Sequence, residues 1–374
     1  MEPVKPPTRR PRRTAESSAA VLPSDSLTTT TTLTPTRMHP SEVLFQGKRQ
    51  PLLLPACDHY AGSEKLMRKS IALQQELGPL FDITFDCEDG AAAGNEEAHA
   101  QLVADLLCDA GNQFKRIGAR VHDLHSPFFD RDVELICGQA AHQLAYLVLP
   151  KPDSAQDVMR ALDVINVHAA KAGREALPVH VLIETHGALR DVFAIAALPQ
   201  VECLSFGIMD FVSAHYGAVP GNAMRTPGQF THPLVVRAKL EIAAACHAHG
   251  KVPSHNVTTE IKDPAVVAND AQRAAAEFGY TRMWSIHPNQ IKPVIKAFTP
   301  RLSEVNEAAN ILHEAERAGW GPIAQNGRLH DRASYRYYWT VLQRARLAGL
   351  TLPDSVAAML QTQADATATT LESR

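Results

Sequence analysis

Two acids stand where apolar runs stop. VHVLIET (179 to 185) has the alternating Val, Val, Ile of a buried strand and ends on Glu184; VECLSFG (201 to 207) has the same character and is followed by Asp210 in FGIMDF. A carboxylate at the end of a buried run is costly unless something pairs with it. If the two runs are neighbouring strands, Glu184 and Asp210 supply two oxygen ligands to one hard divalent cation. Mg²⁺ commonly takes one or two carboxylates and fills the rest of its octahedron with water and substrate oxygens.

Other runs end in polar residues too: Asp86, Glu88 and Asp89 in FDCEDG, Arg120 in ARVHD, Lys151 in LPKP and His287 in SIHP. The planar fork of Arg120 suits a carboxylate or a developing enolate and makes it a natural anchor beside the cation. Asp86 and Lys151 each carry two readings: a contact to the substrate, or support for a turn or loop. His287, before a proline, reads as a packing and hydrogen-bonding residue.

These tips need a scaffold that brings them to one face. From Pro51 onward, eight apolar runs alternate with helix-length segments: 51–56, 81–86, 116–122, 144–151, 179–185, 201–207, 250–255 and 282–287. One intervening segment, 154–171, aligns Val158, Leu162, Ile165 and Ala169 at the helical period. Strands alternating singly with helices imply parallel pairing with helices outside. The span fits the roughly 250 residues of a (β/α)₈ TIM barrel, whose C-terminal strand ends share one face. The first strand–helix turn lacks the glycine fingerprint of a dinucleotide-binding doubly wound sheet, the alternative. The expected organisation is an extension over 1–46 without a packed core, a catalytic barrel over 47–300, a C-terminal helical appendage over 301–352 and a flexible tail over 353–374. A Pro/Gly-rich insertion at 217–233 is expected over the face where the strands end. EVLFQG (42 to 47) matches a viral protease site, but the Lys48 that follows favours coincidence.

The chain has 374 residues, 45% of them hydrophobic, and a formal net charge of -3, so overall charge draws it neither to nucleic acid nor to an anionic membrane. Six cysteines without CxxC spacing signal neither a zinc site nor a disulfide framework. That usage points to a reducing, cytoplasmic setting. No apolar run reaches the roughly 18 residues of a membrane helix.

In order along the chain, FDCEDGA, ARVHD, LPKPDSAQDV, IETHGAL, FGIMDF and SIHPNQI resemble the motifs of the citrate lyase β-subunit and malyl-CoA lyase family, within the HpcH/HpaI aldolase superfamily. The resemblance spans roughly 52–298 and implies an oligomeric, Mg²⁺-dependent (β/α)₈ barrel. Its expected reaction is carbon–carbon cleavage of citryl-, malyl- or citramalyl-CoA, or of a free 2-keto acid. Carried over by motif, Glu184 and Asp210 bind the metal, Arg120 holds substrate oxygens, and Asp89 occupies the place where related pyruvate aldolases put a histidine base. The chain departs from the family pattern at His122, at Met209, at Arg282 and Met283, and throughout the first loop, ACDHYAGSEKLMRKS. Two other readings compete: a thioester hydrolase using the same site, and a barrel that binds without catalysis. No Ser/His/Asp or Cys/His nucleophile arrangement supports the hydrolase.

Overall fold

The computed structural model describes residues 39–48 and 50–360. Eight parallel strands close into a barrel in sequence order: β1 Cys57–Ala61, β2 Phe81–Asp86, β3 Ile117–Arg120, β4 Leu147–Leu149, β5 Val179–Ile183, β6 Val201–Phe206, β7 Val252–His255 and β8 Arg282–Ser285. β1 closes the barrel on β8 through Cys57↔Met283, Asp58↔Trp284 and His59↔Ser285. Helices follow the strands and bury their apolar faces on the outside of the sheet. The helix Ala155–Lys171, capped by the Ser154 hydroxyl accepting from the Asp157 N–H, buries Val158, Leu162, Ile165 and Ala169, the four residues its period aligns.

Seven strands lie within the runs expected for them, and the first does not. PLLLPA (51 to 56) precedes β1 rather than forming it. Two prolines deprive that run of the N–H groups a central parallel ladder needs. The true strand, CDHYA, hides from a hydrophobicity reading because the barrel interior is polar. Arg282, fully buried, lies 3.0 Å from Asp58 and also pairs with Asp82, while Thr84 Oγ1 and Tyr146 Oη donate to Asp58 at 2.8 and 3.0 Å. Burial raises the Asp58 pKa even though the Arg282 charge acts to lower it. The departure at Arg282 is thus the hub of a buried ion cluster in the barrel.

A second apolar core belongs to the C-terminal appendage. Helices Leu302–Arg317 and Arg332–Leu347 pack around Leu312, Trp339 and Leu342, joined by a hairpin of β9 Ile323–Gln325 and β10 Arg328–His330. The boundaries expected for this appendage are corrected at both ends. Residues 40–45 form a helix, Pro40–Phe45, that buries Val43, Leu44 and Phe45 in this core, and Val356, Met359 and Leu360 bury there too. The apolar triplet in EVLFQG is therefore part of the fold. Its six-residue helix is too short to show a period in the sequence. The expectations for 1–38 and 361–374 fall outside the described residues.

The insertion after β6 is anchored beside the end of β7, where Gln229 accepts from the Asn256 side-chain amide at 3.0 Å. Its two short 3₁₀ turns, Gly221–Met224 and Gly228–Phe230, are tied to the helices Pro233–His249 and Pro264–Phe278. Gln229 accepts from buried Lys239 Nζ at 3.0 Å and donates to buried Asp270 at 2.9 Å. Satisfying these buried polar groups decides where the segment lies. Among the described residues, no helix is long and apolar enough to cross a membrane.

Candidate active site at the barrel mouth

The strand ends surround a cavity of about 390 Å³ lined by Asp86, Asp89, Arg120, Glu184 and Asp210 among others. Register explains why these side chains meet. Asp86 pairs directly with Arg120 across β2 and β3, and Ile183 pairs with Phe206 across β5 and β6, so Glu184 and Gly207 follow side by side. Asp210 sits in the first turn of the short helix Ile208–Ser213.

Glu184 is buried and its pKa is pushed up to about 8, first by desolvation and then by the charge of Asp210. One oxygen, Oε1, accepts the Lys151 N–H at 2.9 Å. The other is approached by the backbone of Gly207 so closely that a Cβ there would lie 2.0 Å from Oε2. A buried carboxylate repelled by a second carboxylate on the same cavity wall is what a divalent cation would stabilise, and two carboxylates with open space beside them fit Mg²⁺. Among the described residues no group of three or more His, Cys, Asp and Glu side chains gathers as a metal cage. The pair would thus leave the remaining coordination positions to water and substrate.

Arg120 is held from two sides. Its Nε and Nη2 donate to Asp86 at 2.7 and 2.6 Å, and Nη1 lies 2.9 Å from Glu88. Burial acts to lower the Arg120 pKa, but the Asp86 and Glu88 charges outweigh it and the guanidinium stays charged. It has five N–H groups, so donors remain for a substrate oxygen.

Asp86 resolves in favour of support. Besides Arg120 it accepts the N–H groups of Glu88 at 3.0 Å and Gly90 at 2.9 Å, which uses both its oxygens. Lys151 resolves the same way: Nζ is bound by Glu88 and, at 2.8 Å, by Asp89, and it does not line the cavity. Its backbone, at φ 50°, lies in the left-handed region unfavourable to a lysine and points its N–H at Glu184. Asp89 lines the cavity and is tied to Lys151; burial acts to raise its pKa, but the Lys151 hydrogen bond and charge hold it low. His287 caps the helix Pro288–Phe298 by accepting the Asn289 N–H at 3.2 Å.

The structure adds residues that no spacing in the sequence singled out. Tyr60 and Trp284 line the cavity, with ring centroids 4.8 Å apart, and the Arg120 guanidinium lies 5.4 Å from the Tyr60 ring. Leu66, Met209, Val257 and Ile286 complete this apolar side. Aromatic and aliphatic residues at strand ends look like core, so only the departure of the first loop and of RMWS from the family pattern could have pointed to them.

Known proteins share this fold. A citrate lyase from Burkholderia xenovorans LB400 is 57% identical in a structural match covering 86% of this chain and 99% of that one, with a TM-score of 0.76. The L-malyl-CoA/β-methylmalyl-CoA lyase of Rhodobacter capsulatus is 29% identical over 282 residues, 71% of this chain and 87% of that protein. Protein CitE from Mycobacterium tuberculosis, in complex with magnesium, acetoacetate and coenzyme A, shares the fold at 22% identity and a TM-score of 0.59, over 80% of this chain and 99% of that one. Residues 78–288 match the family described as HpcH/HpaI aldolase/citrate lyase. With that match spanning the strands that carry every acid and the arginine of the cavity, the chain belongs to the HpcH/HpaI aldolase/citrate lyase family of carbon–carbon lyases.

Proposed function

We propose that the barrel mouth cleaves a carbon–carbon bond in a 3-hydroxyacyl-CoA of the citryl, malyl or citramalyl type, or in a free 2-keto acid, through an enolate. The observation that carries this reading is the pair Glu184 and Asp210 beside Arg120 in one cavity. Glu184 and Asp210 are assigned to Mg²⁺, in keeping with the magnesium named for the CitE complex. When bound there, Mg²⁺ supplies Lewis-acid stabilisation of charge on keto-acid oxygens and a template for them.

The chain's own residues do the rest. Arg120, fixed by Asp86 and Glu88, presents its remaining donors to the oxygens on which charge develops. A donor already in place costs no reorganisation as that charge grows. Asp89 is the lining carboxylate neither assigned to the cation nor bound to Arg120, so it is placed to accept the substrate hydroxyl proton. The Lys151 hydrogen bond and charge hold its pKa low, so it is ionised and has lone pairs to accept a proton. The oligomeric state that the family resemblance implies is part of the same proposal.

Product identification tests the reading. Given Mg²⁺ and a malyl-CoA or citramalyl-CoA type thioester, or a 4-hydroxy-2-keto acid, the protein should release a 2-keto acid. Arg120→Lys should lower that rate by about 10² or more, because an ammonium cannot reproduce the planar fork. Release of free CoA and intact hydroxy acid, with no keto acid, would instead make the protein a thioester hydrolase.

A further inference from the structure

Just past β7 the side chains alternate. Val257 and Thr259 line the cavity, while Asn256 and Thr258 are buried and bonded to residues that do not line it. Asn256 Nδ2 donates to Gln229 Oε1 at 3.0 Å, and Thr258 Oγ1 donates to Asp270 Oδ2 at 2.7 Å. Gln229 joins the two by donating from Nε2 to the same Asp270 oxygen at 2.9 Å. The other Asp270 oxygen accepts the Thr226 hydroxyl, so both fixed points of the segment lead back to the insertion at 217–233.

The same segment is fixed from beyond β8. Gln290 Nε2 donates to the carbonyls of Thr258 at 2.7 Å and Glu260 at 3.0 Å, and its Oε1 accepts the N–H of Ile286, itself a lining residue, at 2.9 Å. His255 completes the frame at the end of β7. Its Nδ1 lies 3.0 Å from the Asn256 carbonyl, which can only accept, so Nδ1 carries the proton and Nε2 accepts from Lys239 Nζ at 2.6 Å. Lys239 donates in turn to Gln229. Gln229, Lys239, His255, Asn256, Asp270 and Gln290 are each at most 1% exposed, and a hydrogen bond so deeply buried fixes its partners because breaking it leaves a polar group unpaired. We infer that, within the carbon–carbon lyase reading on which this rests, the network positions Val257 and Thr259 against the substrate, so that the insertion sets how the site binds without touching what is bound. Thr226, Gln229, Asp270 and Thr258 are its positioning residues. Glu184 and Arg120 are held by Lys151, Asp86 and Glu88 instead, so loosening the network leaves the metal pair and the arginine where they are.

Two substitutions in the full chain cut the network away from the cavity wall. Thr258→Val is nearly isosteric and removes one hydroxyl from Asp270; Thr226→Val removes the other, from within the insertion. Steady-state kinetics in saturating Mg²⁺ are measured on whichever malyl-CoA or citramalyl-CoA type thioester or 4-hydroxy-2-keto acid the unaltered chain cleaves, with calorimetric Mg²⁺ titration of the same proteins alongside. Both variants should raise KM about threefold to tenfold, the scale of one lost hydrogen bond, with kcat within about twofold and Mg²⁺ affinity unchanged. Thr258→Ser, which keeps the hydroxyl, should bring KM back. A network that serves the fold alone would lower the denaturant midpoint of both valine variants without moving KM, and that result would overturn the inference. So would a loss of Mg²⁺ affinity in either variant, because the effect would then reach the metal pair rather than the wall. Should Thr258→Val fail to fold, Thr226→Val, at a half-buried position, decides alone. No turnover of any such substrate by the unaltered chain would overturn the lyase reading itself.

Discussion

On the proposed metal reading, Glu184 is both buried and charged, and its neighbours are arranged to hold it there. Lys151 gives it one backbone N–H from a strained conformation, and Gly207 leaves the space its second oxygen occupies. Gly207→Ala should therefore push Glu184 off its position, weakening Mg²⁺ binding by about tenfold or more while costing about 1–3 kcal/mol of stability, the usual penalty of overpacking. Calorimetry on the folded variant checks this, and an unchanged affinity would mean that Glu184 does not depend on that space. That Glu184, Asp210 and Arg120 meet in one cavity was legible in the sequence, because a charge at the end of an apolar run has few explanations. Asp86 and Lys151 were legible as site residues but not in their roles, since whether a side chain faces a substrate or a neighbour depends on what the adjacent strand places beside it. Tyr60 and Trp284 were not legible at all, because an aromatic wall and an aromatic core have the same composition.

At the scale of the strands, seven of eight were readable from apolar runs, and β1 was lost to its buried acid, Asp58. An ion pair also ties down the loop after β3. His122, just past β3, donates from Nδ1 to buried Asp132 at 2.7 Å, and that hydrogen bond raises its pKa. A histidine whose folded pKa lies above its unfolded value contributes stability that is complete below about 6.5 and is lost as pH rises through the folded value. His122→Asn should thus cost about 1 kcal/mol or less near pH 6, since the ring is partly solvated, and nothing measurable near pH 9. Denaturant unfolding at the two pH values decides it; an equal cost at both would place the effect in packing rather than charge.

Over the whole molecule, the barrel carries the chemistry, and a second core is assembled from segments far apart in the chain. The short helix Pro40–Phe45 closes that core, with Arg336 Nη1 reaching the Leu44 carbonyl at 3.4 Å. Removing residues 1–46 takes Val43, Leu44 and Phe45 with it and should cost a few kcal/mol, at about 1.5–3 kcal/mol for each fully buried apolar side chain. A truncated chain that unfolds at the same denaturant concentration would show that the helix adds nothing. The barrel's purpose in this account is to hold two acids from neighbouring strands against one cation, beside an arginine that two other acids fix in place. Calorimetric titration of Mg²⁺ into the full chain, Glu184→Gln and Asp210→Asn measures that directly. One bound Mg²⁺ is expected in the unaltered chain and none detectable in either variant, with both variants still folded; Mg²⁺ affinity unchanged in both would contradict the metal assignment.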